Sequence, residues 1–181
     1  MLGELDKVDG RWRLRFRRSL DHPQEKVWRA ITEDEHLRAW FPADVIGERR
    51  TGAALRFVFR DEHGNELPDL DGVDTSGEVV QWDPPSVFEL TWGDESVRLE
   101  LEPSADGGCT LTLVDTFDEL GKAARDATGW HICLDDLRGH LDGSASRTSS
   151  EDRFRDVNQR YVDALGPDAS TIGPPEGRFD G

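Results

Sequence analysis

Two histidine–aspartate pairs come closest, by residue type and spacing, to an arrangement that could do chemistry. His131 and Asp135 lie four residues apart, as do Asp136 and His140, in a segment with helical periodicity. Residues at this spacing share one face of a helix, where a histidine and a carboxylate can exchange a proton or bind a metal ion together. Both pairs lie off the apolar stripe of that helix, and this position favours ion pairing at the surface over catalysis or metal binding.

The remaining reactive residues fit no catalytic or metal-binding motif. Cys109 and Cys133 lack the paired spacing of a zinc site, and each falls in an apolar-patterned segment, which indicates small core residues. Asp69, Asp71 and Asp74 lie in the acidic stretch 61–77 without the glycine and the glutamate of a calcium loop. No nucleophile comes with a recognisable base, and the sequence has no Walker loop or HExxH motif. We therefore predict no catalytic residue, no metal and no cofactor. The sequence favours a protein that is not an enzyme, but it does not decide this question.

Aromatic side chains provide the strongest candidate for a binding site. By periodicity they point toward the inside of the fold, and rigid rings around unfilled space suit a planar or apolar ligand. Ordinary core packing is the alternative interpretation for each residue taken alone. The predicted ligand-binding residues are Trp40, Phe57, Phe59, Phe88, Trp92, Trp130, Leu134 and Leu137. A cavity of about 300 Å³ or more is expected inside a subset of the rings. This subset is Trp40, Phe57, Phe59, Trp92 and Trp130.

Alternating strands must position most of these rings. In residues 11–20 Trp12, Leu14 and Phe16 alternate with a row of arginines (Arg13, Arg15 and Arg17), which predicts a half-buried strand with a basic outer face. Two short helices follow this strand. Residues 43–117 then contain further alternating runs joined by short turns, and short turns predict an antiparallel meander because parallel pairing needs long crossovers.

One long helix must cover the sheet. Apolar residues recur from position 120 onward at intervals of three and four, which predicts a helix of about six turns with one buried stripe. The stripe is Ala123, Ala127, Trp130, Leu134, Leu137 and Leu141. A shorter helix is predicted over 151–165. We expect a single domain over residues 1–165 and a mobile C-terminal tail over 166–181.

Charge limits the partners that the protein can take. The 181 residues carry a formal net charge of −16, which repels phosphate backbones and anionic lipid heads. We therefore expect neither nucleic-acid binding nor membrane association. The sequence shows no signal peptide and no apolar run long enough to span a bilayer, so the expected location is cytoplasmic. A homodimer is left open.

Three blocks of the sequence resemble the START-like (SRPBCC) superfamily, and more narrowly its branch named after the activator of the heat-shock-protein-90 ATPase. The blocks are RRSLDHPQEKVWRAITEDEHLRAWF, GEVVQWDPPSVFELTWG and GWHICLDDLRGHLDG. The resemblance covers about residues 11–143 and implies an α+β helix-grip fold: a curved antiparallel sheet of about seven strands wrapped around a long C-terminal helix, with a cavity between them. Loop 61–77 is longer and more acidic than the resemblance implies.

Three classes of function agree with this resemblance. Members of the wider superfamily bind lipids, hormones or polyketides, which favours the binding of a small apolar, aromatic or lipid-like ligand between sheet and helix. Other members are cyclases or hydrolases, so an enzyme acting on a polyketide-like or lipid-like substrate in the same cavity is the first alternative. A chaperone-associated protein-interaction module is the second alternative, although the chain lacks the additional domain that such activators carry.

Overall fold

Eight strands form one antiparallel sheet in the computed structural model, which describes residues 1–60, 63–67, 74–144 and 151–173. The order of neighbouring strands is β1-β2-β8-β7-β6-β5-β4-β3, so the sheet is open and its edges are β1 and β3. The strands are β1 Glu4–Val8, β2 Arg11–Leu20, β3 Asp44–Ile46, β4 Ala54–Val58, β5 Ser76–Asp83, β6 Val87–Trp92, β7 Glu95–Pro103 and β8 Cys109–Phe117.

Four α-helices complete the described part of the fold. They are α1 Gln24–Thr32, α2 Asp34–Leu37, α3 Ala123–Leu141 and α4 Glu151–Leu165, with 3-10 turns at Leu120–Lys122 and Pro167–Ser170. All six residues of the predicted stripe on α3 are buried, and they join one apolar core with the inward side chains of the sheet. The helix-grip prediction is therefore confirmed. None of the helices in the described ranges is long and apolar enough to cross a membrane.

The predicted register of β2 is correct. Leu14 and Phe16 are buried, whereas Arg17 is exposed and Arg13 and Arg15 are partly exposed. Leu14 lies opposite Asp115 of β8, so the central pair of strands brings an apolar side chain and an acidic one to the same inner face. A slip of one residue would have reversed both faces of β2.

The first strand is the element that the sequence pattern did not predict. Only Leu5 of β1 is partly buried, so Glu4–Val8 shows no clear alternation. Its signal lies in the turn instead: Asp9 and Gly10 have φ values of 52° and 87°, as a type I′ hairpin requires. An Asp-Gly pair before an alternating run is a strong hairpin signal, and it explains why the sheet has eight strands rather than about seven.

Helix α4 packs against α3 and fastens the N-terminus. Tyr161 is 0% exposed, and its hydroxyl accepts a hydrogen bond from the Gly3 N–H over 2.9 Å. Beyond α4, Ala169 is buried and the Ile172 N–H donates to the Gly121 carbonyl over 3.0 Å. Residues 166–173 of the predicted tail therefore lie against the domain. Residues 174–181, the linker 145–150 and parts of the acidic stretch 61–77 lie outside the described residues.

Leucines at the centre of the α3 stripe test this packing. Leu134 and Leu137 are 2% and 1% exposed, and the residues around them are packed. Truncation leaves a cavity, so we expect Leu134→Ala and Leu137→Ala each to lower the free energy of unfolding by roughly 2–5 kcal/mol in urea titrations.

Arg138→Ala, an exposed position on the same helix, is the matched control, with an expected change within about 0.5 kcal/mol. Equal effects at all three positions would mean that the helix does not pack through its apolar stripe.

Candidate functional site: a carboxylate cluster beside an aromatic cluster

An aspartate occupies an inward position of β8. The inward residues of this strand are Cys109, Leu111, Leu113, Asp115 and Phe117, and each of them is buried. Asp115 is 0% exposed, and its cross-strand neighbours on the two sides are the apolar residues Leu14 and Val97. A carboxyl group at such a position costs free energy unless its charge or its hydrogen bonds are compensated.

Two more carboxylates approach Asp115. Glu95 begins β7 on the same inward side as Val97, and Asp126 lies in the first turn of α3. One oxygen of each side chain lies within 4.8 Å of one oxygen of the other two. We call Glu95, Asp115 and Asp126 the carboxylate cluster. Lys122 forms an ion pair with Glu95, and the Nε of Arg125 lies 2.7 Å from Asp126 Oδ1.

Hydrogen bonds satisfy the cluster only in part. The Trp130 indole N–H donates to Asp115 Oδ2 over 2.9 Å. The other oxygen of Asp115, Oδ1, and the Asp126 Oδ2 atom are buried and have no hydrogen-bond partner among the described residues. Two unpaired oxygens in one buried cluster mark a place where a proton, a water molecule or a ligand would be stabilised.

Burial is the main influence on the pKa of Asp115, the central carboxyl group of the cluster. Desolvation raises the pKa of Asp115 well above its ordinary value of 3.8, and the negative charges of Glu95 and Asp126 raise it further. The Trp130 hydrogen bond and the Lys122 charge oppose this shift without reversing it. Burial also acts to lower the pKa of Lys122, but the hydrogen bond and charge of Glu95 outweigh it, so the net pKa is raised. The surroundings thus favour the charged form of Lys122 and the protonated form of Asp115.

A metal ion is a second way to compensate such a cluster. Three carboxylates at this spacing are hard oxygen ligands of the kind that Ca²⁺ and Mg²⁺ accept. Lys122 already neutralises Glu95, however, and the Trp130 N–H occupies one oxygen of Asp115. We therefore interpret the cluster as an acid–base group rather than as a metal centre. A second acidic group, Glu33, Glu35 and His36, lies at the surface of α2, where carboxylates are common without an ion.

Aromatic rings lie directly beside the carboxylate cluster. The rings of Phe57 and Trp92 are stacked, with centroids 4.1 Å apart and an interplanar angle of 8°. Phe59 lies 5.8 Å from Trp92, while Phe41 lies 5.9 Å from Trp92 and 5.7 Å from Trp130. We call these five residues the aromatic cluster. Trp130 joins the two clusters, because its ring contacts Phe41 and its N–H binds Asp115.

Four of the predicted site residues come together in this cluster: Phe57, Phe59, Trp92 and Trp130. Trp40 reaches it through Phe41, at a centroid distance of 5.4 Å. Phe88 instead contacts Trp82 at 5.5 Å, away from the cluster, and the two leucines of α3 are part of the general core. Phe41 was not among the predicted site residues, yet its ring contacts those of Trp40, Trp92 and Trp130.

Aromatic contacts are found in the region where the cavity was predicted. Phe57 and Phe59 both contact Trp92 directly, and Trp40 and Trp130 both contact Phe41, so ring contacts occupy part of this region. A concavity of about 240 Å³ lies elsewhere, between α1, α2 and the end of α3. It is lined by Lys26, Arg29, Ala30, His36, His140, Leu141 and Gly143.

Only one of the two histidine–aspartate pairs is in contact: His131 approaches Asp135, whereas Asp136 and His140 contact other residues. His131 is buried rather than at the surface, because α4 covers it, and its Nδ1 lies 2.9 Å from the Tyr161 hydroxyl. Its Nε2 lies 3.5 Å from Asp135, and burial lowers the pKa of His131. Asp136 pairs with Arg153 over 2.7 Å, and His140 lies 2.9 Å from His36.

Sequence reasoning missed the carboxylate cluster, although a signal was present. Asp115 takes the inward phase of the alternating run CTLTLVDTF, and Glu95 takes the inward phase before Val97, Leu99 and Leu101. A charged residue at the apolar phase of a strand is unusual, because burial of a charge is costly. An acidic residue at an inward position of a strand is therefore a sequence signal for a candidate site, as a histidine–aspartate pair on a helix is.

An antiparallel sheet packed on one long C-terminal helix, with two short helices after its second strand, defines a protein of the START-like (SRPBCC) helix-grip class. Within this class, the chain belongs to the family described as activator of Hsp90 ATPase homolog 1-like protein, whose sequence profile matches residues 21–142. No curated protein matches the chain.

Solved structures share the fold at low sequence identity. A conserved protein of unknown function from Enterococcus faecalis is 18% identical, with a TM-score of 0.72 over 90% of each chain. CalU16 from Micromonospora echinospora is 22% identical, with a TM-score of 0.67 over 90% of this chain and 92% of its own. A Bordetella parapertussis protein is also 22% identical, with a TM-score of 0.67 over 91% of each chain. At these identities the likeness concerns the fold alone.

The raised pKa of Asp115 predicts a pH-dependent gain in stability from Asp115→Asn. The native protein retains a proton that the unfolded chain releases above about pH 4, so the wild-type protein loses stability as pH rises through the native pKa of Asp115. An asparagine still accepts the Trp130 hydrogen bond and cannot ionise. We expect the variant to be about as stable as the wild type near pH 4 and more stable at neutral pH, measured by urea titration.

Glu119→Gln removes an acid at an exposed position four residues away and serves as the control. A stability difference between Asp115→Asn and wild type that stays constant with pH would contradict a protonated Asp115.

Proposed function

We propose that the protein binds a small apolar, aromatic or lipid-like molecule on the aromatic cluster, at the end of the sheet–helix interface where the carboxylate cluster lies. The observation that carries this proposal is the ring surface itself. Phe59 and Trp92 are only partly buried, and Trp92 stacks on the buried rings of Phe57 and Phe41. Aromatic surface that remains in contact with water gains free energy when an apolar molecule covers it.

The geometry around Trp92 supports a preformed surface. The Trp92 N–H donates to the Asp74 carbonyl over 2.8 Å, and one face of the ring stacks on Phe57. A ring that is held by a hydrogen bond and a stack loses little conformational entropy when a ligand arrives. No charged side chain belongs to the aromatic cluster, so the affinity for a neutral ligand should depend little on salt.

An enzyme that acts on a polyketide-like or lipid-like substrate is the second candidate, and one observation favours it. Asp115, whose pKa is raised by burial, lies one hydrogen bond from Trp130, beside Glu95 and its ion-pair partner Lys122. An acid and a base in a buried site next to a binding surface are the groups that proton transfer needs. The third candidate, a chaperone-associated interaction module, rests on the description of the family and on no contact described above.

Titration with a neutral fluorescent probe tests ligand binding. N-phenyl-1-naphthylamine should bind the purified protein with increased emission, and its affinity should change less than about twofold between roughly 0.05 and 0.5 M salt. Trp92→Leu should weaken binding roughly fivefold, because it removes a stacked ring worth on the order of 1 kcal/mol.

Trp82→Leu is the matched control, since Trp82 is also partly buried but contacts Trp28 and Phe88 away from the aromatic cluster. Its affinity should stay within about twofold of the wild type. Absence of probe binding, or equal losses in the two variants, would argue against a ligand site at Trp92. Native mass spectrometry of freshly purified protein would then distinguish a co-purified ligand at another site from a protein without one.

A further inference from the structure

We propose that the concavity between α1, α2 and the end of α3 binds a small phosphomonoester, at a site separate from the aromatic cluster. Its volume is about 240 Å³, near the lower limit for pockets that hold small molecules. His140, which lines it, lies ten residues after Trp130, or about 15 Å further along the helix axis. This inference goes beyond the proposed function and does not depend on it.

The lining of the concavity has the opposite charge to the chain as a whole. The sequence contains 38 acidic side chains against 22 lysines and arginines. Seven described residues line the concavity, and none of them is acidic. Lys26 and Arg29 are among them, and such side chains are cationic at neutral pH. A lining of this composition attracts an anion and opposes a metal cation.

Contacts at the end of α3 hold Lys26 in position. Its Nζ donates to the Leu141 carbonyl over 2.8 Å and lies 3.2 Å from His22 Nδ1. Asp142, an acid at the same end of the helix, already lies 2.7 Å from the other ring nitrogen of His22. An ammonium group has three N–H donors, so at least one remains for a ligand. A lysine that is already fixed loses little conformational entropy when an anion binds.

Arg29 supplies a second cation from the same helix. It follows Lys26 by three residues, which places both side chains on one side of α1. The Arg29 side chain is exposed, and its guanidinium makes no hydrogen bond or ion pair with the part of the chain that the structure describes. A guanidinium group can bind two phosphate oxygens through parallel hydrogen bonds, which an ammonium group cannot do. The concavity thus combines a fixed cation with an unpaired one.

Two histidines in mutual contact form the part of the lining that α2 and α3 contribute. His36 Nδ1 lies 2.9 Å from His140 Nε2, so one ring donates a hydrogen bond to the other. Glu33 and Glu35 each place an oxygen 3.6 Å from His36 Nε2, the nitrogen that is not bonded to His140. Neither of these acids lines the concavity. The histidine pair therefore adds polar ring surface to the lining without adding negative charge.

The arrangement of these groups favours a phosphate over a carboxylate. Helix α1 contributes two cations, and α2 and α3 contribute one histidine each, so polar groups approach the space from three elements. A phosphomonoester has three terminal oxygens in a tetrahedral arrangement, whereas a carboxylate has two oxygens in one plane. A tetrahedral dianion can therefore contact both cations and a ring at the same time. The volume leaves room for a small organic substituent on the phosphate.

An NMR titration with methyl phosphate tests this site. The ring signals of His36 and His140 report on the concavity, whereas His131 lies beneath α4 and serves as an internal control. At constant pH and roughly 0.05 M salt, we expect saturable shifts of the first two signals with a Kd on the order of 1 mM, and no shift of the third. Acetate should bind at least about fivefold more weakly. Raising the salt to roughly 0.5 M should weaken methyl phosphate binding at least about fivefold, because the attraction is between charges.

Variants of the two cations assign the binding to the concavity. Arg29→Met and Lys26→Met should each weaken the affinity for methyl phosphate roughly tenfold. Arg17→Met removes the same charge from the outer face of β2, where the side chain is also exposed, and is the matched control. Its affinity should stay within about twofold of the wild type. Lys26 also binds the Leu141 carbonyl, so thermal unfolding checks each variant, and Arg29→Met carries the test if Lys26→Met does not fold.

Vesicles distinguish a soluble phosphomonoester from a lipid headgroup. The net charge of −16 repels an anionic membrane, so the protein should not cosediment with vesicles of phosphatidylcholine that contain phosphatidic acid. Cosedimentation that Arg29→Met abolishes would support recognition of the phosphomonoester and overturn the soluble source.

The remaining outcomes keep this inference apart from the proposed function. Shifts that do not saturate, or equal losses in Arg29→Met and Arg17→Met, would overturn the phosphomonoester site. Because the two sites are separate, methyl phosphate should not displace N-phenyl-1-naphthylamine. Failure of the phosphomonoester site therefore leaves binding at the aromatic cluster intact, and failure of probe binding leaves the phosphomonoester site intact.

Discussion

An indole N–H that enters an apolar core must bring an acceptor with it, and in this protein the acceptor is the carboxyl group of Asp115. Trp130 is part of the stripe that closes α3 over the sheet, so its ring has to be buried for the fold to form. The hydrogen bond to Asp115 then fixes the rotation of the ring and its contact with Phe41. One interaction thus connects the packing of the long helix to the polar group in the core.

The carboxylate cluster contains more acidic groups than the Trp130 N–H needs as a hydrogen-bond acceptor. A single neutral acceptor, such as an asparagine, would satisfy Trp130 without a titratable group. The chain instead places three acids and Lys122 close together, and removing these groups from water costs free energy. The ion pair between Glu95 and Lys122 offsets this cost for those two residues alone. Local violations of the rule that strands bury apolar residues are found at functional sites more often than elsewhere. The cluster is such a violation, beside the most aromatic part of the molecule.

Periodicity was sufficient to predict the fold, but contacts between distant segments decided the site. The alternation of β2 and β8 and the stripe on α3 are properties of short windows, and their burial follows directly from them. The sequence could place Phe57 and Trp92 on inward faces, whereas their stacking depends on how β4 and β6 are brought together through β5. In the same way, the burial of His131 depends on α4, which a helical spacing within α3 cannot reveal. Asp115 could have been noticed from its inward position in β8, but the sequence could not show that its Oδ1 atom has no hydrogen-bond partner among the described residues.

The open sheet ends in two strands that discourage further pairing. On β1 the exposed side chains include Glu4, Asp6 and Lys7. At the opposite edge, β3 has only three residues, and its Asp44 lies 2.6 Å from the guanidinium of Arg60. Charged and very short edge strands resist the addition of a strand from another chain. Main-chain pairing between copies is therefore disfavoured at both edges, which protects the molecule against edge-to-edge aggregation, and self-association would have to rely on contacts between side chains.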